Sequence, residues 1–168
     1  MVEIHSGRVD EAEAIRAVEK SAGERFRLIG MHDIADAEVT DSAVLHERAR
    51  AGRLFVAHDG PTVCGFAIFS TIDSCCYLEE VSVASSHRGQ QIGQRLIAAV
   101  ENAGRAKGLT WITLSTFRDV AWNAPYYARL GFGEWSYDEL PLGHLEQHAK
   151  QAAHGLDMSK RLFMRKRL

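Results

Sequence analysis

Two groups of residues in this chain have the type and spacing to do chemistry. The first is Arg88 with Gly89 and Gly93, inside VASSHRGQQIGQRLIAAVENA (Val83–Ala103), where a strand ends and an amphipathic helix begins. A helix N-terminus leaves backbone N–H groups without intrahelical partners and carries about half a positive charge. A glycine-bearing turn feeding such a helix is therefore a natural phosphate cradle, and Arg88 adds a formal charge to it. The second group is Glu79 and Glu80, two carboxylates in the middle of CCYLEEVSVA, a strand pattern in which paired acids are unusual. Alternation places Tyr77, Glu79, Val81 and Val83 on one face and Leu78, Glu80 and Ser82 on the other.

Other chemistries fail on spacing. A dinucleotide fingerprint needs G-x-G-x-x-G near the first strand, and a P-loop needs Gly-Lys followed by Ser or Thr; neither occurs. His144 and His148 lie four apart on a polar helix, but no third ligand accompanies them, so an exposed helix face is expected and no metal is implied. Cys64 reads as core, and Cys75 and Cys76 have no cationic neighbour to activate a thiolate.

The elements that must position these groups follow from periodicity. Val2–His5 reads as a strand, and Ala12, Ile15, Ala17, Val18 and Ala22 recur at helical spacing. Residues 21–41 show no sustained period and are expected to form a partly ordered connection. DSAVLHERARAG is a helix with Asp41 or Ser42 as N-cap and Gly52 as its stop. Asp59-Gly60 between apolar runs predicts a hairpin. Ile92, Leu96, Ile97, Val100 and Ala103 trace the long helix after the loop. TWITLST is a strand, NAPYYARL a short helix N-capped by Asn123, FGEW a strand, GHLEQHAKQAAHG a helix and RLFMRKR a last strand. The result is a mixed α/β layer architecture.

With 168 residues, 46% hydrophobic and 25% charged, the chain fits one domain spanning residues 1–168. A net charge of −2 argues against a broad nucleic-acid surface, so any anion site is local. An odd count of three cysteines, two of them adjacent, suits a reduced compartment. With no apolar signal core at the start and no run approaching the ~18 residues of a membrane span, the expectation is cytoplasmic, without membrane association.

LEEVSVASSHRGQQIGQRLI resembles the acyl-CoA-binding motif of the GCN5-related N-acetyltransferase (GNAT) superfamily, [R/Q]-x-x-G-x-[G/A] after a strand of the form E-x-hydrophobic-x-V. NAPYYARLGF resembles the family's later motif ending in Tyr-x-x-x-Gly-Phe, so the similarity spans roughly Val2 to Trp135. The resemblance implies a GNAT acyl-CoA N-acyltransferase fold, an α+β mixed sheet with splayed central strands and flanking helices. It also implies acetyl transfer from acetyl-CoA to a primary amine by direct attack in a ternary complex.

By the same resemblance, Val81, Ser82 and Val83 hold the pantetheine arm. The loop Arg88, Gly89, Gln90, Gln91, Ile92, Gly93 and Gln94 holds the pyrophosphate, and Asn123 adds a pantetheine contact beside its capping role. Glu79 matches the position often assigned as general base, with Glu80 as its competitor, and Tyr127, rather than Tyr126, matches the proton donor to the coenzyme sulfur. The backbone N–H at Val81 or its neighbour would meet the developing oxyanion. Gln91 stands where the family motif has its first glycine; in a first helical turn its φ would be negative. This departure keeps a second class of reading, a non-catalytic acyl-CoA sensor or partner module. Residues 21–41 and the Phe117–Trp122 loop, including Arg118 and Asp119, are expected to shape the acceptor pocket. Glu24, Asp33, Asp36 and Asp119 would suit a cationic acceptor such as a polyamine or aminoglycoside; a peptide amine remains open. The apolar LFM of the tail strand offers an edge for a homodimer.

Overall fold

The computed structural model describes residues 1–168. In chain order the elements are β1 (Val2–Ser6), α1 (Ala12–Gly23), α2 (His32–Ala35), α3 (Ser42–Arg50), β2 (Leu54–Asp59), β3 (Thr62–Ile72), β4 (Cys75–Val83) and α4 (Ile92–Ala106). β5 (Trp111–Phe117), α5 (Ala124–Arg129), β6 (Gly133–Trp135), α6 (Leu142–Ala153) and β7 (Arg161–Arg167) complete it. The sheet has seven strands in the order β1-β2-β3-β4-β5-β7-β6, mostly antiparallel, with a parallel β4–β5 pairing at Cys76↔Ile112 and Tyr77↔Thr113. This is the mixed α/β architecture expected from the pattern. The chain divides into two compact units, Met1–Phe69 with Glu80–Val100, and Ser70–Glu79 with Glu101–Leu168.

In the first unit, Ala12, Ile15 and Val18 of α1 recur at helical spacing and bury against Leu45 of α3 and Leu54, Val56, Phe66 and Ile68 of the strands. Each large side chain so buried is worth about 1.5–3 kcal/mol. The carboxylate of Asp41 accepts from the amide of Ala43 at 2.7 Å and starts α3 where its cap was expected. Gly60, at φ +58, makes the β2–β3 turn. Residues 21–41 are more ordered than their lack of period suggests. α1 runs on to Gly23, a 3-10 stretch spans Glu24–Ile29, and the four-residue α2 follows. Elements this short show no amphipathic repeat in sequence.

In the second unit, Tyr77, Trp135, Leu140 and Phe163 form the core. β7 lies between β5 and β6 and pairs with β5 along its whole length, from Trp111↔Arg167 to Phe117↔Arg161. Phe163 and Met164 of the tail's LFM are therefore paired on both sides and do not form the open edge that was expected there. His144 corrects a second expectation: it is fully buried rather than part of an exposed face. Its Nδ1 donates to Asp73 Oδ2 at 2.7 Å, and its Nε2 lies 2.9 Å from Thr113 Oγ1. Asp73, in the β3–β4 turn, also accepts the amides of Gly143 at 3.1 Å and His144 at 2.9 Å. It thus caps α6 from 71 residues away and adds a negative charge at that helix's positive end. Burial pushes the Asp73 carboxyl up, but the His144 hydrogen bond and the two amides outweigh it and hold the group below the usual carboxylate range.

Candidate active site

In the first unit, β4 runs through Val81, Ser82 and Val83 to Ala84, whose amide donates to the carbonyl of Cys64 at 2.9 Å. A 3-10 turn, Ser85–His87, follows. It is held to α1 by Ser21, whose Oγ accepts the amide of Ser85 at 3.1 Å and lies 2.8 Å from the Ser85 hydroxyl. Arg88 is extended, at φ −63 and ψ 151, and Gly89 turns left-handed at φ +78. The amide of Arg95 donates to the carbonyl of Gln91 at 3.1 Å, which makes Gln91 the N-cap of α4. The amides of Ile92, Gly93 and Gln94 thus precede the first intrahelical bond, the positions at which a helix has N–H groups to offer an anion. The structure brings together Arg88, Gly89, Gln90, Gln91, Ile92, Gly93 and Gln94 as one turn. Its donor set of successive amides and a guanidinium fits a diphosphate.

Gln91 is not in the helical region. Its φ is +59, a left-handed conformation that glycine adopts freely and glutamine does not. The expectation of a negative φ was wrong because Gln91 is the cap and not the first residue of the helix. A glycine here would serve the backbone's shape as well as the approach of a ligand.

Gly65 of β3 sets the seat of α4. A Cβ there would come 3.1 Å from Leu96 Cδ1, 3.2 Å from Ile92 Cγ2 and 3.2 Å from the carbonyl oxygen of Ser82. The helix and β4 close on the bare backbone, and buried Ile92, Leu96, Ile97 and Val100 complete the packing. Glu80, on the same face as Ser82, accepts from the Ser82 hydroxyl at 2.7 Å. Sequence reasoning missed one cation here: Arg25, half-buried just past α1, lies near enough to Arg88 for the two charges to repel.

In the second unit, Glu79 shares its strand face with Tyr77. Burial pushes the Tyr77 hydroxyl up to about 12; Arg161 opposes this, and the neighbouring charge of Glu79 adds to it. That hydroxyl accepts from Gln151 Nε2 at 3.3 Å. Gln151 is oriented in turn by Ser115 Oγ at 2.8 Å and Arg161 Nε at 3.1 Å, both donating to its Oε1. Arg161 also packs 4.5 Å over the ring of Phe117. Tyr77 and Gln151 were not singled out in sequence; the alternation that put Tyr77 beside Glu79 was the available signal.

Tyr127 and Asn123 belong to α5 in the same unit. Asn123 occupies the N-cap position, and its carbonyl accepts the Tyr127 amide at 3.0 Å. Its side chain does not cap the helix: Nδ2 donates back to the carbonyl of Trp122 at 3.0 Å. The half-buried Tyr127 ring packs edge-on against Tyr126 and Phe132, with centroids 5.4 and 5.7 Å apart. The carbonyl of Tyr127 accepts the amide of Phe132 at 3.1 Å, tying the tyrosine to the Gly131-Phe132 turn.

Several residues expected to meet an acceptor are already committed elsewhere. Glu24 and Asp36 both accept from Arg27, at 3.2 and 2.6 Å, and Arg118 pairs with Glu134 at 2.9 Å. These acids are thus neutralised locally, which weakens the case for a cationic acceptor. Cys64, Cys75 and Cys76 are all buried, and burial raises each thiol, Cys76 to about 11, so none is poised as a thiolate. A cavity of about 510 Å³ lies at the β1–β2 edge, lined by Met1, Glu3, His5, Arg8, His58 and Gly60. None of the predicted residues lines it.

The model of the acetyltransferase (GNAT) family matches residues 15–132. Among solved structures, the chain resembles the PaiA N-acetyltransferase of Thermoplasma acidophilum in complex with coenzyme A. The TM-score is 0.69 at 14% identity, over 100% of this chain and 99% of that one. It also resembles the ribosomal-protein-S18-alanine N-acetyltransferase of Escherichia coli, with a TM-score of 0.68 at 16% identity over 99% and 94% of the two chains. A Mycobacterium tuberculosis protein in complex with coenzyme A superposes with a TM-score of 0.72 at 18% identity, over 99% of each chain.

Proposed function

Because the chain belongs to the GNAT acetyltransferase family and is an acyltransferase, we propose that it moves an acetyl group from acetyl-CoA to a primary amine, by direct attack in a ternary complex within one domain of residues 1–168. Acetyl-CoA supplies the activated thioester; the protein supplies grip, orientation and proton handling. The observation that carries this reading is the turn from Arg88 to Gln94, which opens a helix with three successive amides ahead of its first internal bond. The amides of Ile92, Gly93 and Gln94 and the Arg88 guanidinium hold the diphosphate, where the helix dipole favours negative charge. The backbone of Val81, Ser82 and Val83 holds the pantetheine arm as a short added strand, and Asn123 contacts it from α5.

An amine attacks only when neutral, so a base must take its proton. Glu79 fills that role from the strand face it shares with Tyr77, and Glu80, on the face of Ser82, is its competitor. Tyr127 donates a proton or hydrogen bond to the departing thiolate. No residue is assigned to a metal.

The test is thiol release from acetyl-CoA with spermidine, tobramycin and an alanine-terminated peptide as acceptors. Turnover that Tyr127→Phe lowers about 100-fold, with coenzyme affinity kept, supports the reading. Coenzyme binding without turnover on any primary amine would replace it by a non-catalytic acyl-CoA module.

A further inference from the structure

We infer that the acceptor is an amine that also carries a carboxylate, and that Arg161, at the start of β7, receives that carboxylate while Gln151 and Ser115 hold its guanidinium in place. The inference rests on the reading of Glu79 as the base that takes the amine's proton, and adds to it the class of molecule that bears the amine. All the residues concerned belong to the second unit.

The geometry follows from the face of the sheet that α6 covers. His144 of α6 lies 2.9 Å from Thr113 Oγ1 and edge-on to the Tyr77 ring, with centroids 5.8 Å apart, so Tyr77 and Thr113 both look toward α6. They are also register partners, and the β4–β5 ladder stops with them. Side chains two apart on a strand share a face. Glu79 on β4 and Ser115 and Phe117 on β5 are therefore the next positions toward α6, where the two strands are no longer bonded to each other. Arg161 is the register partner of Phe117 and packs 4.5 Å over its ring, which puts the guanidinium on the same face. Glu79, Ser115, Gln151 and Arg161 are all half-buried, so a small molecule can reach them.

Neutral groups orient Arg161. Its Nε donates to Gln151 Oε1 at 3.1 Å, and its Nη2 donates to the carbonyl of Ser115 at 3.1 Å. Ser115 Oγ donates to the same Gln151 oxygen at 2.8 Å, and Gln151 Nε2 donates to the Tyr77 hydroxyl at 3.3 Å, so this amide is fixed by β4, β5 and β7 together. These uncharged partners set the plane of the guanidinium without cancelling its charge. A planar cation so held matches the two oxygens of a carboxylate, which a lysine ammonium does not. An acceptor with its amine at Glu79 and its carboxylate at Arg161 meets an opposite charge at each end. A polyamine reverses the match, because its second ammonium would face Arg161 and be repelled.

The experiment is thiol release from acetyl-CoA with the α-amino acids, β-alanine and γ-aminobutyrate, each beside its own amide, which lacks only the carboxylate. The parent is expected to acetylate at least one acid with kcat/KM about 30-fold above that of its amide. Arg161→Gln should collapse that preference, chiefly through KM for the acid, and Arg161→Lys should recover only part of it. Gln151→Glu is the second variant. A glutamate there still accepts from Ser115 and Arg161 and can accept from the Tyr77 hydroxyl, so the network is kept, while its charge engages Arg161 and should cut the preference too. A merely structural role would lower acid and amide together. A parent that takes amides as well as acids, or takes no acid, overturns the proposal, and so does Arg161→Gln with the preference intact or with equal loss on both. If spermidine or tobramycin turns over and no acid does, only the acceptor class fails; if coenzyme A binds and no amine turns over, the reading beneath it fails as well.

Discussion

The amide of Arg95 donates to the carbonyl of Gln91 at 3.1 Å, and Gln91 makes this bond from a left-handed backbone, φ +59. A non-glycine residue held there costs on the order of 1 kcal/mol or more. Gln91→Gly should therefore stabilise the fold by about 1 kcal/mol in urea denaturation without weakening coenzyme A. A glycine variant no more stable than the parent would show that the left-handed cap carries no strain.

Gly65 lets α4 and β4 approach one backbone. Gly65→Val places methyl groups where even a single Cβ is tight against Leu96, Ile92 and the Ser82 carbonyl. The expected cost is about 2 kcal/mol or more, because the Ser82 oxygen is backbone and cannot rotate away. The same change should abolish coenzyme binding, since it lifts the start of α4 off its seat. A thermal melt and a coenzyme titration check both halves, and a variant that melts and binds like the parent would contradict the packing.

Glu79 and Glu80 are adjacent in sequence and opposite in facing. Glu79→Gln should lower kcat about 100-fold or more, while Glu80→Gln, which keeps a hydrogen-bond acceptor for the Ser82 hydroxyl, should cost less than about tenfold. Steady-state kinetics on whichever primary amine turns over decides it; the reverse ranking would exchange the two roles.

Asp73 gives the fold a dependence on acid. Its folded pKa is depressed, so its contribution is present above the unfolded value near 3.9 and is lost as pH falls through the folded value. The parent should lose stability below about pH 4, and Asp73→Asn should flatten that limb while lowering stability at pH 7. Denaturation across pH 2.5 to 7 reads both effects; identical acid limbs would show that Asp73 does not carry the dependence.

Much of this architecture is legible in the sequence. Ile15 and Val18, Ile92 and Leu96, and the Asp59-Gly60 turn declared their elements because period and turn chemistry are local properties. What escaped was set by partners distant in sequence or by backbone angle. His144 looks solvent-facing on a polar helix, and only the fold brings Asp73 and Thr113 to its two nitrogens. β7 looks like an edge because nothing in RLFMRKR announces that β6 will cover its far side. The left-handed Gln91 could not be read from a residue type that rarely adopts it, and Arg25 lay in a stretch whose short elements have no period. Among the candidate residues, the Arg88–Gly93 turn and the Glu79–Glu80 pair were visible as residue types; Tyr77 had only its alternation with Glu79 to signal it, and Gln151 and Arg161 emerge from contacts alone.

The measurement that bears most directly on the account is a two-dimensional amide NMR titration of the ¹⁵N-labelled protein with coenzyme A. The largest shifts should fall on the amides of Gly89 to Gln94, headed by Ile92, Gly93 and Gln94, with smaller ones along Val81 to Val83. Saturation with those amides unmoved, or with the shifts gathered instead around His5 and His58, would mean that the opening of α4 does not hold the diphosphate.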